Sequence, residues 1–208
     1  MSYRELLVGC GSKRDKRIDP RQTLRDRDPT YNASFEWQNL QTLDYHSRCR
    51  PDIVWDIGQV PWCWRLTDGS SERIPESTYD EIHAYEVLEH VGQQGDWRAF
   101  FRVFAEIWRL LKPGGLLSAT CPSRYSAWLW GDPGHTQAVT PEKLIFLSQK
   151  AYADQEGSTS MSDYRDFYRA DFNVLHSSDD RSSHLFVLQA VKPSRWFAFK
   201  EEDNAPKG

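Results

Sequence analysis

The 208-residue chain has no run of apolar residues approaching the roughly 20 that a membrane-spanning helix requires. Charge arrives as early as Arg4 and Glu5, with no apolar stretch of the kind that directs secretion. Cysteine is scarce: Cys10, Cys49, Cys63 and Cys121 are scattered without a C-x-x-C, and the six histidines show no pairing at metal-ligand spacing. These absences argue against a structural zinc site and put no metal in the expected site. They set the expectation of a protein of the reducing cytoplasm with no membrane span. A basic excess is missing too, since the formal net charge is -4, which disfavours a general nucleic-acid binder.

Aromatic residues are plentiful: nine Trp, nine Tyr and ten Phe, suited to core filling and to the walls of a small-molecule pocket. The length supports one well-buried core. One domain is expected over residues 1–199, with a charged loop insert at 12–35 and a flexible tail, "KEEDNAPKG", at 200–208.

Four short apolar runs bounded by turn signals read as buried parallel strands: Leu6 to Val8, Asp52 to Trp55, Glu81 to Tyr85 and Leu116 to Thr120. A fifth run, "FEWQNLQTLDYH", predicts a strand ending near Asp44. Phe172 to Leu175 and Leu185 to Val191 read as a closing hairpin across "SSDDRSS". Within "DWRAFFRVFAEIWRLLKPGG", Trp97, Phe100, Phe101, Phe104, Ile107, Trp108 and Leu111 recur at helical steps, with Asp96 as N-cap and Gly114-Gly115 as the stop. A second helix is predicted from Thr140 through Leu144 and Leu147 toward Tyr152. Strands alternating with helices imply an α/β doubly wound, mostly parallel sheet, closed by the antiparallel hairpin. Between Ser12 and Phe35, seven basic and four acidic residues with almost no apolar content predict a solvated loop; the competing reading is a lid or anion contact.

In such a sheet, ligands bind beyond the carboxyl ends of the strands. The first strand ends in Gly9-Cys10-Gly11, where a missing Cβ allows a sharp bend and close approach to a ligand, although position 14, where a third glycine is usual, is arginine. Asp44 ends the second strand and Asp56 the third. A carboxylate at such a tip can accept hydrogen bonds from ribose hydroxyls or from an adenine amino group.

The segments "YDEIHAYEVLEHV" and "EIWRLLKPGGLLSATCPS", together with "GDPGHTQAVTPEKL", resemble the class I S-adenosylmethionine-dependent methyltransferases, in the branch with Leu-Glu-His after strand four and Leu-Lys-Pro-Gly-Gly before strand five. The resemblance runs over roughly residues 5 to 192 and implies a Rossmann-like fold and S-adenosylmethionine as cofactor. It implies that Gly9, Cys10 and Gly11 pass the methionine and ribose part, that Asp44 meets the ribose hydroxyls, and that Asp56 with Ile57 meets the adenine. Tyr85 and Glu86 would then lie beside the departing methyl.

Lys112 to Gly115 have a structural reason of their own, as a helix stop, and Glu89 and His90 are expected to cap or hold the loop that follows them. For chemistry, His135 is the candidate general base and Asp132 its candidate orienting partner, because an imidazole titrates near neutral pH and the Gly-Pro-rich loop follows strand five. Tyr31, Tyr125, Trp128 and Trp130 are candidates for the acceptor pocket, with packing as the plainer role. No Asn-Pro-Pro-Tyr follows strand four, and Cys121-Pro122 reverses the Pro-Cys of cytosine C5 enzymes, so a DNA base is disfavoured as substrate. The expected reaction is O- or N-methylation of a small molecule or glycan. A catalytically degenerate binding module of the same fold is the alternative, and a nicotinamide-dependent oxidoreductase the third reading.

Overall fold

The computed structural model describes residues 2–25, 30–66 and 68–197; the expected flexible tail at 200–208 lies outside them. Strand β1 (Glu5–Val8) is buried along its whole length. It sits between β2 (Leu40–Asp44) and β6 (Tyr79–Tyr85), parallel to both. β3 (Ile53–Val54) extends the sheet beyond β2, and β7 (Leu111–Pro122) extends it beyond β6, again in parallel. The hairpin of β8 (Phe172–Asp179) and β9 (Ser183–Ala190) closes the far edge antiparallel. The order is β3-β2-β1-β6-β7-β9-β8, with β4 (Cys63–Arg65) and β5 (Ser71–Arg73) forming a separate two-stranded ribbon. The chain reverses its direction of travel across the sheet between β1 and β6, which opens a crevice at the carboxyl ends of those strands.

Alternation along the strands divides the core in two. Leu6, Val8, Ile82 and Ala84 face helix α2 (Trp97–Leu110) and its phenylalanines, whereas Leu7 and Tyr85 pack on the opposite face with Cys10, Ile18 and Val187. Helix α2 starts as expected, with the Asp96 carboxylate accepting the Ala99 N–H at 3.0 Å. It ends earlier than expected, at Leu110. The carbonyls of its last turn are taken up by Ser77 N–H on Arg109 O (2.9 Å) and Thr78 N–H on Leu110 O (2.8 Å), and Lys192 Nζ adds a bond to Arg109 O (3.0 Å). Gly114, at φ +75°, serves a bulge instead: pairing with β6 jumps from Tyr79↔Leu111 to Glu81↔Leu116.

The second predicted helix is two helices, α4 (Pro141–Ile145) and α5 (Gln149–Gln155). The chain breaks between them because Leu147 O accepts the N–H of Phe172 (3.0 Å) and Ser148 Oγ caps a new start at Ala151 N–H (3.3 Å).

The charged insert departs most from expectation. It includes a four-residue helix, α1 (Arg21–Leu24), and buries Lys16, Ile18, Asp19 and Pro20. β1 and β6 turn Glu5, Glu81 and His83 to the same face, all at 0% exposure. Lys16 Nζ enters between the carboxylates, bonding Glu5 and, at 2.9 Å, Glu81, while His83 Nε2 meets Glu81 at 3.0 Å. Burial raises Glu81, but hydrogen bonds involving His83, Tyr3 and Lys16 outweigh it and hold the carboxyl well below its ordinary range. The segment is therefore a cover for a polar sheet face, and it was hydrophilic because it supplies the counter-charge.

The ribbon hangs from α2. Glu106 accepts the Trp62 N–H (2.7 Å), Arg109 Nη1 donates to Ile74 O (2.7 Å), and Trp62 Nε1 donates to Ile57 O (3.0 Å).

Candidate active site

The first turn beyond β1 is left-handed twice, with Gly9 at φ +63° and Gly11 at φ +51°. Across from it, Glu86 at the end of β6 also has positive φ (+54°), a conformation uncommon for a side-chain-bearing residue and one that gathers at functional sites. A Cβ on Gly9 would stand 2.5 Å from Val87 Cγ2, so the glycine is required for β1's turn to pack on the segment after β6; at Gly11 a Cβ would meet only open space. Gly9→Ala is accordingly expected to destabilise more than Gly11→Ala. Each carries the left-handed penalty of about 1–2 kcal/mol, and only Gly9 adds the collision with Val87. Equal losses in urea unfolding would show that Val87 yields freely.

Asp44 is buried to 6% exposure, and its carboxylate staples two strand tips: Oδ2 accepts the Gly11 N–H (2.9 Å) and Oδ1 the His46 N–H (2.8 Å). Asp56 is exposed and accepts the Gly58 N–H through Oδ1 at 2.9 Å. Gly9, Asp44, Asp56, Ile57 and Glu86 border one cavity of 540 Å³ at the carboxyl edge of the sheet, joined by Gly134 from the loop after β7. Tyr45 and Trp55 also line it, and sequence reasoning missed both: an aromatic beside a strand-end acid carried no distinct signal.

Of the expected cofactor residues, Gly11 is not among those that border the cavity, and Tyr85 and Cys10 lie on another face. Tyr85 is buried on the opposite sheet face, where its hydroxyl accepts the N–H groups of Arg17 and Ile18 at 3.2 and 3.3 Å. Period-two alternation sends it away from the crevice while Glu86, past the strand end, turns into it. Cys10 is buried in the same cluster, with its thiol on Gly11 O at 3.5 Å.

Helix α3 (Ala127–Gly131) precedes the loop that carries Asp132 and His135, and that loop is stitched to the turn at Leu88–His90. Glu89 O accepts the N–H of Thr136 (2.9 Å) and of Gln137 (3.1 Å), and His90 Nδ1 bonds Gly134 O at 2.8 Å. His135 Nδ1 bonds Trp128 O (2.8 Å), so a backbone carbonyl orients the imidazole. Asp132 uses Oδ1 for the Gly134 N–H at 2.7 Å and keeps only Oδ2 near His135 Nε2, at 3.9 Å. The expected orienting role of Asp132 is thus filled by Trp128 O. Glu89 is fully buried; burial pushes its carboxyl up to about 7, with the charges of Glu86 and Asp132 adding to the rise. Of the candidate acceptor rings, Tyr125, Trp128 and Trp130 are exposed around α3, whereas Tyr31 is engaged by Asp19 through its hydroxyl (2.5 Å).

A separate apolar cavity of 210 Å³, walled by Trp97, Phe100, Phe101, Phe146 and Tyr164, shares no residue with the first. Among the described residues no helix is long and apolar enough to cross a membrane.

The family described as a methyltransferase domain matches residues 54–119, from the end of β3 into β7. No curated protein matches the chain. Similar solved structures include an S-adenosylmethionine-dependent methyltransferase from Archaeoglobus fulgidus, at 12% identity over 90% of this chain and 86% of that one, with a TM-score of 0.49. Another comes from Mesorhizobium loti, at 13% identity, 90% and 91% coverage and a TM-score of 0.49. A third is the N-methyltransferase NodS from Bradyrhizobium japonicum in complex with S-adenosyl-L-homocysteine, at 16% identity, 91% and 78% coverage and a TM-score of 0.46. The family match covers β6 and much of β7, and the seven-stranded order with one antiparallel hairpin is that of a Rossmann-like methyltransferase sheet, so residues 54–119 are similar to a methyltransferase domain set in that fold.

Proposed function

We propose that the chain transfers the methyl group of S-adenosylmethionine to an oxygen or nitrogen of a small molecule or glycan. The observation that carries this reading is that Gly9, Asp44, Asp56 and Glu86, each at the carboxyl end of a different strand, border a single cavity. Its 540 Å³ falls within the roughly 300–1,000 Å³ typical of small-molecule sites. Asp44 and Asp56 each retain lone pairs beyond their backbone bonds, which suits the hydroxyls of a ribose and the amino group of an adenine. Gly11 leaves open space at the turn where a side chain would otherwise project.

The cofactor, when bound, supplies a sulfonium methyl for in-line displacement. The protein's share is positioning, which can lower a barrier by roughly 7–11 kcal/mol. His135 serves the acceptor side. A carbonyl only accepts, so the bond to Trp128 O places the ring proton on Nδ1 and leaves the Nε2 lone pair facing Glu89, 3.9 Å away. Exposed Tyr125, Trp128 and Trp130 offer flat apolar faces beside this loop, against which the C–H face of a sugar or an aromatic acceptor can stack.

The test is transfer of tritiated methyl from S-adenosylmethionine into fractionated cell extract, with His135→Ala in parallel. Label is expected in a low-molecular-weight or glycan fraction, and the variant is expected to transfer it roughly 100-fold more slowly with unchanged affinity for S-adenosylhomocysteine. Label confined to nucleic acid would overturn the acceptor class. Full turnover in His135→Ala would remove that residue from the chemistry.

A further inference from the structure

Two groups of metal-ligating side chains come together in the described residues, and they differ in one respect. In the first, Glu5, Glu81 and His83, the Lys16 ammonium already occupies the centre. In the second, Glu89, His90 and His135, one ligating atom from each residue lies within 4.8 Å of the others, and no protein cation enters. Among the described residues no lysine or arginine pairs with Glu89, Glu86 or Asp132.

Glu89 is at 0% exposure, yet neither of its carboxylate oxygens accepts from a nitrogen or oxygen donor, and its close polar neighbour is the Cys121 thiol. Such a carboxyl stays ionised in the interior only when something positive faces it. The imidazoles are prepared in a matching way. His90 gives its Nδ1 proton to Gly134 O and His135 gives its own to Trp128 O, both at 2.8 Å. Each ring therefore offers Nε2 as a lone pair and is held in orientation by a backbone carbonyl, as histidine ligands of metals commonly are. The rings stand 4.8 Å apart, edge to face.

We propose that Glu89, His90 and His135 bind a divalent first-row transition ion, in the class of Zn²⁺, Fe²⁺ or Co²⁺, at the rim of the cofactor cavity. Ligands sharing such an ion stand about 3–3.5 Å apart, so the 3.9 Å between His135 Nε2 and Glu89 Oε1 needs only a small side-chain rotation to close. Two nitrogens and one carboxylate favour these ions over Mg²⁺, which takes oxygen ligands. His90 and Gly134 line the cavity, so remaining coordination positions open toward it. If the methyl-transfer reading holds, the ligand for those positions is the acceptor, taken through an oxygen, and His135 then acts on it through the ion and not as a free base. The sequence hid this site because His90 and His135 are 45 positions apart and meet only when the loop after β7 docks on the turn after β6.

The experiment uses the untagged full chain, stripped with a chelator and titrated with CoCl₂, ZnCl₂ and MgCl₂ in the absence of cofactor. One Co²⁺ per chain is expected, with a visible absorption band that Zn²⁺ displaces and Mg²⁺ does not. Glu89→Gln, His90→Gln and His135→Ala should each weaken Co²⁺ binding roughly tenfold or more, while His176→Ala, on the exposed side of β8, should leave it unchanged. Absence of Co²⁺ binding, equal binding in His90→Gln, or competition by Mg²⁺ would each overturn the site. His90 is exposed, so its variant decides even if Glu89→Gln fails to fold, as judged by circular dichroism. S-adenosylhomocysteine affinity is measured on the same wild-type samples. Its loss would sink the cofactor reading and leave the Co²⁺ result to stand by itself.

Discussion

Replacing Lys16 with methionine is expected to cost the fold about 3–5 kcal/mol, the loss seen when one partner of a buried ion pair is removed. Methionine fills similar space, so the effect isolates charge from packing. Without the ammonium, Glu5 and Glu81 remain side by side at 0% exposure, and among the described residues their close basic neighbours are then His83 and Arg21, which reaches Glu81 at 3.4 Å. Urea unfolding at pH 7 reads the loss directly. Adding Glu5→Gln to Lys16→Met should recover a large part of it, because the penalty comes from the uncompensated carboxylate and the two sites are in contact. A single-variant loss below about 1 kcal/mol would place the ammonium among solvated surface pairs.

Asp44→Ala is expected to weaken binding of S-adenosylhomocysteine by on the order of 1–3 kcal/mol, roughly 5- to 150-fold by calorimetry. The carboxylate is nearly buried, and it has two tasks: it holds Gly11 and His46 by their N–H groups, and it directs its remaining lone pairs at the cavity. Asp56→Ala should fall at the weak end of the same range, since Asp56 is exposed and solvent screens what it contributes. Unchanged affinity in both variants, with unfolding transitions intact, would move the cofactor out of the cavity they border.

What could be read before folding divides along physical lines. Strand β1 announces itself as a short apolar run that ends in a glycine turn, and α2 because one wide face must meet the sheet. Asp96 as cap was legible for the same local reason. The stop of α2 was not, because distant groups at Ser77, Thr78 and Lys192 satisfy its terminal carbonyls. Lys16 was misassigned to solvent because its partners are 11 and 65 positions away. In the candidate site, the strand-tip acids Asp44 and Asp56 follow from topology alone. Tyr85 shows the limit of that reasoning, since one residue decides which face of the sheet a side chain serves. The meeting of Glu89 with His135 depends on how two loops dock, and no local pattern encodes it.

The attachment of the β4–β5 ribbon to α2 bears on the cavity as well. Asp56 and Ile57 lead directly into Trp62, whose indole and backbone N–H are clamped by Ile57 O and Glu106. One wall of the binding space is consequently held at both ends, by β3 where it leaves the sheet and by the helix beyond Ile57, so the seating of that helix bears on how far the wall stands from the strand tips.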